Sequence, residues 1–206
     1  MQILLTHALR SEAGILRQYY PKARSLIRGK GHELIQLKSN LKLLRTGVGL
    51  EASESVLNEH VDPEDVNLII HFGVSGSLTK SLNVNDIVRG EIFCGSDMPS
   101  IHIDPVSNFA DLHIPAATFY SSMSPVVDEN SRKEAKASGA GAVDMESYAI
   151  ANFCKLWDIP LLSIRCISDR AGASTPEDFA VNYPHATEML QKFLLENILI
   201  RLPGGS

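Results

Sequence analysis

Strands and helices alternate along the 206 residues, which predicts an α/β fold: three layers around a central mixed, mostly parallel sheet. Continuous apolar runs at residues 3–5, 66–72 and 160–167 have the composition of strands buried on both faces of such a sheet. No repeat, low-complexity tract or long linker interrupts the alternation, so residues 1–206 are expected to form one domain with a full-sized core.

The elements follow in order. Residues 3–5 open as a strand, and a helix is expected over 11–20, capped by Ser11 or Thr6 and ended by Pro21. Residues 33–38 and 41–46 alternate apolar and polar side chains like a hairpin, and a helix follows over 50–60. The strand at 66–72 runs into a glycine-rich turn over 72–78. Short strands are expected at 84–88, 90–94 and 116–120, with an irregular Pro- and Ser-rich loop over 96–115. A helix over 129–138 precedes a strand at 142–145, a helix over 146–156 and a strand over 160–167 that ends at Ser168 and Asp169. A polar loop over 170–182 leads to a last helix over 184–200 and a frayed Leu-Pro-Gly-Gly-Ser tail.

Composition narrows the function. Hydrophobic residues are 44%, charged residues 21% and the net charge is −5, without a block of like charges, which argues against a nucleic-acid partner. No apolar run approaches the roughly 18 residues of a membrane span, and no signal peptide is read at the start, so no membrane partner and a cytoplasmic location are expected. Cys94, Cys154 and Cys166 match no zinc or redox spacing and read as reduced thiols. The seven histidines show no metal-ligand pairing, and Gly-Val-Ser-Gly at 73–76 is not a dinucleotide fingerprint, so neither metal nor cofactor is expected.

In open α/β sheets ligands bind beyond the carboxyl ends of strands. That rule selects the turn holding Ala8, Arg10 and Glu12, the turn with Gly73 and Val74, the junction Asp144-Met145-Glu146, and the end Ser168-Asp169. Three of the four carry a carboxylate suited to acid–base work on a glycosidic bond. Each acid also has an ordinary role open to it: Glu12 and Glu146 stand where an acid complements a helix dipole, and Asp169 where one caps a turn.

V-D-M-E-S-Y-A-I-A from Val143 and P-L-L-S-I-R-C-I-S-D-R-A from Pro160 resemble the purine nucleoside phosphorylase and uridine phosphorylase superfamily. The nearest branch is 5'-methylthioadenosine/S-adenosylhomocysteine nucleosidase with its short bacterial relatives. L-L-R-T-G-V-G-L from Leu43 and L-I-I-H-F-G-V-S-G-S-L from Leu68 resemble the strand-and-glycine segments of that family, in the same order.

The resemblance implies roles residue by residue. Asp169 matches the general acid at purine N7, positioned by Ser168; Glu146 matches the carboxylate on the ribose hydroxyls, with Met145 against the sugar; Glu12 matches the acid that activates water. Ala8, Gly73, Val74 and Asp144 complete the expected substrate contacts. The family's phosphorylases carry phosphate contacts where His71 and Val74 stand, and this departure favours hydrolysis, although Arg10, Arg45 and His71 remain possible anion contacts. The expectation is therefore a nucleosidase acting on an adenosine-type nucleoside with a modified 5' end. The alternatives are a phosphorylase with phosphate as co-substrate, for example of the hopanoid-associated type, and an inactive nucleoside-binding protein. A homodimer or larger homo-oligomer is expected from the same likeness.

Overall fold

The computed structural model describes residues 1–203; residues 204–206, the end of the tail expected to fray, lie outside the described residues. The strands are β1 (Ile3–His7), β2 (Arg24–Arg28), β3 (Glu33–Lys38), β4 (Leu41–Arg45), β5 (Leu68–Ser77), β6 (Ile87–Gly95), β7 (Met98–His102), β8 (Ala116–Ser121), β9 (Ala142–Asp144) and β10 (Leu161–Asp169). The helices are α1 (Gly14–Tyr19), α2 (Leu50–His60), α3 (Glu129–Ala137), α4 (Ser147–Leu156) and α5 (Thr175–Phe193).

All ten strands join one mixed sheet in the order β10-β6-β8-β9-β5-β1-β4-β3-β2, with β7 on β6 and a second pairing between β10 and β5. The centre, β4-β1-β5-β10, is parallel. β5 leaves β1 after His71, stays beside β10 as far as Gly76, and meets β9 at Gly76 and Ser77. The sheet thus curls on itself, and the ends of β1, β5, β9 and β10 converge.

Alternation along the buried strands sends side chains to two large cores, and a smaller third cluster joins Cys94, Tyr120 and Val143 to Ala135 of α3. Leu5, Ile70, Phe72, Leu162 and Ile164 pack with Leu16 of α1 and Leu190 of α5 on one face. Leu4, Ile69, Leu161 and Ile167 pack with Leu57 of α2 and Ile150 of α4 on the other. These are the two helical layers. In α2, Leu50, Ser53, Val56 and Leu57 are buried, the spacing of one helix face.

Several expectations are corrected. The turn expected over 72–78 is strand, because β5 runs unbroken to Ser77. The two strands at 84–88 and 90–94 are one, β6, and the loop over 96–115 contains β7 paired back onto it. β2, an exposed edge strand, was not anticipated. Neither Thr6 nor Ser11 caps the first helix: Thr6 lies within β1, and the Ser11 hydroxyl meets Tyr183. The last helix begins at Thr175 and passes through Pro184. A mid-helix proline removes one hydrogen bond, and the carbonyl left over belongs to Ala180, which is exposed to water.

Candidate active site

The converging strand ends enclose a cavity of about 430 Å³, within the size range of small-molecule sites. Glu12, Asp144, Glu146 and Asp169 line it, together with Ala8, Leu9, Val74, Met145, Ser168 and Phe179. The three expected acids lie far apart in the chain and are 4%, 6% and 4% exposed. The lining is acidic and apolar, and among the described residues no Lys, Arg or His belongs to it.

Glu12 follows β1 in a short 3-10 turn, Arg10–Ala13. Its Oε2 accepts the backbone N–H groups of Ala8 at 3.0 Å and Leu9 at 2.8 Å. Its Oε1 accepts the N–H of Val74 from β5 at 3.2 Å. The carboxylate therefore caps its own turn and also pins it to the central strand. Burial raises its pKa, against the pull of these N–H groups and of the Arg165 charge.

Glu146 joins β9 to α4 and is fixed by one backbone donor, the N–H of Gly49 at 2.9 Å. Burial, and then the neighbouring Asp144 carboxylate, push its pKa up to about 7, with Arg165 and the Gly49 N–H opposing. Asp169 closes β10: Oδ2 accepts the Ser168 hydroxyl at 2.8 Å, and Oδ1 accepts the Ala171 N–H at 2.8 Å and the Thr175 hydroxyl at 3.3 Å.

Arg165 lies behind the acids and was not singled out from sequence. It is 1% exposed. Its Nη2 donates to Asp144 Oδ2 at 2.6 Å, to Ser147 Oγ at 2.9 Å and to His71 Nε2. Asp144 also accepts the Ser121 hydroxyl at 2.7 Å. An arginine only donates, so His71 Nε2 is an acceptor and Nδ1 carries the proton, which faces Thr6 Oγ1 at 3.0 Å and Thr6 O at 3.2 Å. Burial, reinforced by Arg165, holds the His71 pKa well below the usual histidine value, so the ring is neutral. The signal in the sequence was a single charge within an otherwise uncharged strand, Leu161 to Ile167.

The glycines of β5 make room for these groups. A methyl on Gly73 would lie 2.2 Å from Arg165 Nη1 and 2.8 Å from Glu12 Oε1. One on Gly76 would lie 2.7 Å from Asp169 Oδ1. Their role is close approach within a strand rather than a turn.

Of the other expected contacts, Ala8, Val74, Asp144, Met145 and Ser168 line the cavity, while Gly73 lies behind it between Glu12 and Arg165. Arg10, Arg45 and His71 are not among the lining residues. Sequence reasoning missed Val48, residues 124–127 and the start of α5, where Thr175, Pro176 and Phe179 wall the cavity. The segment expected to be a polar loop over 170–182 is helical from Thr175, and that turns Phe179 into the cavity wall.

Residues 110–199 match the family model of the phosphorylase superfamily. A 5'-methylthioadenosine/S-adenosylhomocysteine nucleosidase of Buchnera aphidicola is 27% identical over 186 residues, covering 76% of this chain and 80% of the relative. One from Mycobacterium tuberculosis is 51% identical over 41 residues, 20% of this chain and 16% of the relative. Among solved structures, futalosine hydrolase of Helicobacter pylori superposes with a TM-score of 0.84 at 19% identity, over 94% of this chain and 95% of that one. The Colwellia psychrerythraea nucleosidase of the same methylthioadenosine class, in complex with adenine, gives 0.81 at 22% identity over 94% and 93%. These superpositions establish the shared fold.

Proposed function

We propose that this chain is a member of the phosphorylase superfamily, whose family model matches residues 110–199, and that it is a nucleosidase hydrolysing the N-glycosidic bond of a purine nucleoside with a modified 5' end. One observation carries the proposal: four buried carboxylates from three distant segments line a single cavity whose remaining wall is largely apolar. The names of the relatives, methylthioadenosine/S-adenosylhomocysteine nucleosidase and futalosine hydrolase, support the substrate class.

In the proposed reaction the C1'–N9 bond breaks as water attacks C1'. Asp169, held by Ser168, donates a proton to purine N7, so the base leaves neutral. Glu146 accepts the ribose hydroxyls, Met145 packs against the sugar, and the Glu146 charge favours an oxocarbenium-like sugar. Glu12, fixed by three N–H groups, takes the proton of the attacking water. An acidic and apolar lining suits a neutral nucleoside and water better than a phosphate dianion, which supports hydrolysis without cofactor or co-substrate. We also propose a homodimer, because Val48 and Val127 line the cavity yet are 48% and 42% exposed. A reducing cytoplasmic location fits the three free cysteines.

Incubating the protein with a panel of purine nucleosides, with and without phosphate, tests the reaction. Free base and free sugar are expected without phosphate. A strict phosphate requirement would convert the assignment to phosphorylase, and adenine binding without release from any nucleoside would leave a binding protein.

A further inference from the structure

We propose that Arg132 is a positioning residue for Asp169, acting through the turn that follows it. The inference rests on the assignment of Asp169 as the acid facing the base. Asp169 Oδ1 accepts the N–H of Ala171, and the residue that carries this N–H has a left-handed backbone, with φ of 42° at Ala171. A residue with a Cβ disfavours this region and keeps it only where its surroundings impose it. Ala171 is 1% exposed and lines the cavity, so the turn is part of the site wall.

The Arg170 side chain and the Gly172 N–H also hold this turn, through Leu82 O, Asn83 Oδ1 and Thr175 Oγ1, but its two carbonyls are held by the guanidinium of Arg132, on α3. Its Nη1 donates to the carbonyls of Arg170 and Ala171 and to Ser77 O at 3.2 Å, and its Nη2 donates to Leu78 O at 3.3 Å. One side chain thus ties the end of β5 to both carbonyls of the turn after β10. The planar fork of an arginine can serve acceptors on two segments together, whereas a lysine offers three donors from one point. With a neutral side chain at 132, the turn is free to relax towards right-handed backbone. The Ala171 N–H then swings away from Asp169, and the carboxyl loses a donor that fixes its direction. Arg132 itself is not among the residues lining the cavity, so its effect on the reaction passes through Asp169.

A double-mutant cycle tests this. Base release is measured for Arg132→Met, Arg132→Lys, Asp169→Asn and the paired variants, with thermal unfolding as a check on folding. Arg132→Met is expected to lower kcat roughly ten- to a hundredfold, the scale of a small misplacement of a reacting group. KM should change less than about threefold, and Arg132→Lys should recover part of the loss. In the Asp169→Asn background the same change should cost less than about threefold, since the group it acts through is gone. Full, additive losses in the paired variant would overturn the positioning role while leaving the Asp169 assignment intact. Undiminished activity in Asp169→Asn would overturn the assignment and the inference with it. If Arg132→Met does not fold, Arg132→Lys and its pair with Asp169→Asn run the same cycle against the same two outcomes.

Discussion

Glu33 and Glu146 both expose little surface, 4% and 6%, but Glu33 lies near the edge of the sheet beside β2 while Glu146 lies in the cavity wall, and the fold treats them in opposite ways. Burial pushes the Glu33 carboxyl up, but hydrogen bonds and charges from Arg17 and Arg28 outweigh it and hold the pKa at about 2. Arg17 Nη1 sits 2.7 Å from one carboxylate oxygen and Arg28 Nη2 2.9 Å from the other. Glu146 receives one backbone N–H and faces the Asp144 carboxylate, so burial prevails and its pKa reaches about 7. A buried acid whose charge is fully matched ties β2, β3 and α1 together. One left undermatched in a cavity keeps capacity to exchange protons and bind a ligand.

Glu12 stands between these cases and gives the widest test of the contrast. Three N–H groups hold it, and they approach both oxygens. The amide of Glu12→Gln has only one acceptor oxygen, so its NH₂ must face either Val74 N–H or the Ala8 and Leu9 pair. Base release is expected to fall by roughly 10²–10⁴, the scale of a lost general base, and the melting temperature should fall as well. Activity within about threefold of wild type, on that scale, would place Glu12 with Glu33 among the structural acids.

Much of this arrangement was legible from local pattern. Leu50, Ser53, Val56 and Leu57 lie on one helical face, and the alternation in 33–38 and 41–46 specified a hairpin, found as β3 and β4. The positions of Asp169 and Glu146 followed from the rule that strand ends face the ligand. What stayed hidden depends on register and tertiary pairing. Arg165 stands opposite Gly73 across β10 and β5, so that glycine makes space for a cation; neither segment alone reveals it. β2 reads Arg-Ser-Leu-Ile-Arg, with only Ile27 partly buried, and Arg28 meets Glu33 only once β2 lies beside β3. Pro184 suggested a helix start, but it stands inside α5, where the carbonyl it leaves without its helical partner belongs to Ala180, an exposed residue.

Glu146 gives the next test, through pH. If its charged form binds the ribose hydroxyls, base release should rise as pH climbs through about 7, by about tenfold per pH unit well below that value. Glu146→Gln should flatten this limb. Stability should run the other way. The folded state holds the Glu146 proton more tightly than the unfolded chain does, so stability falls as pH rises from about 4.5 through about 7. Glu146→Gln removes that penalty, and its melting temperature should exceed that of wild type above pH 7, with the gap closing below about pH 4.5. A pH profile unchanged by the substitution would break the contrast with Glu33.

The smallest expected effect lies at Glu33 itself, where activity should not respond. Glu33→Gln keeps the size of the side chain and loses the charge that Arg17 and Arg28 share. Breaking such a pair from the buried side should cost on the order of 1–3 kcal/mol, less than for a fully enclosed pair because both arginines reach water. That corresponds to a drop of roughly 2–4 °C in melting temperature per kcal/mol for a chain of this size. The sign with pH is the reverse of Glu146: the Glu33 pKa is depressed, so its contribution is present above about 4.5 and is lost as pH falls through about 2. Wild type and Glu33→Gln should therefore converge in acid and differ most near neutrality. Turnover measured well below the melting temperature should match wild type. A loss of kcat at unchanged stability would show that the paired glutamate takes part in the site, and would dissolve the distinction between matched and undermatched acids.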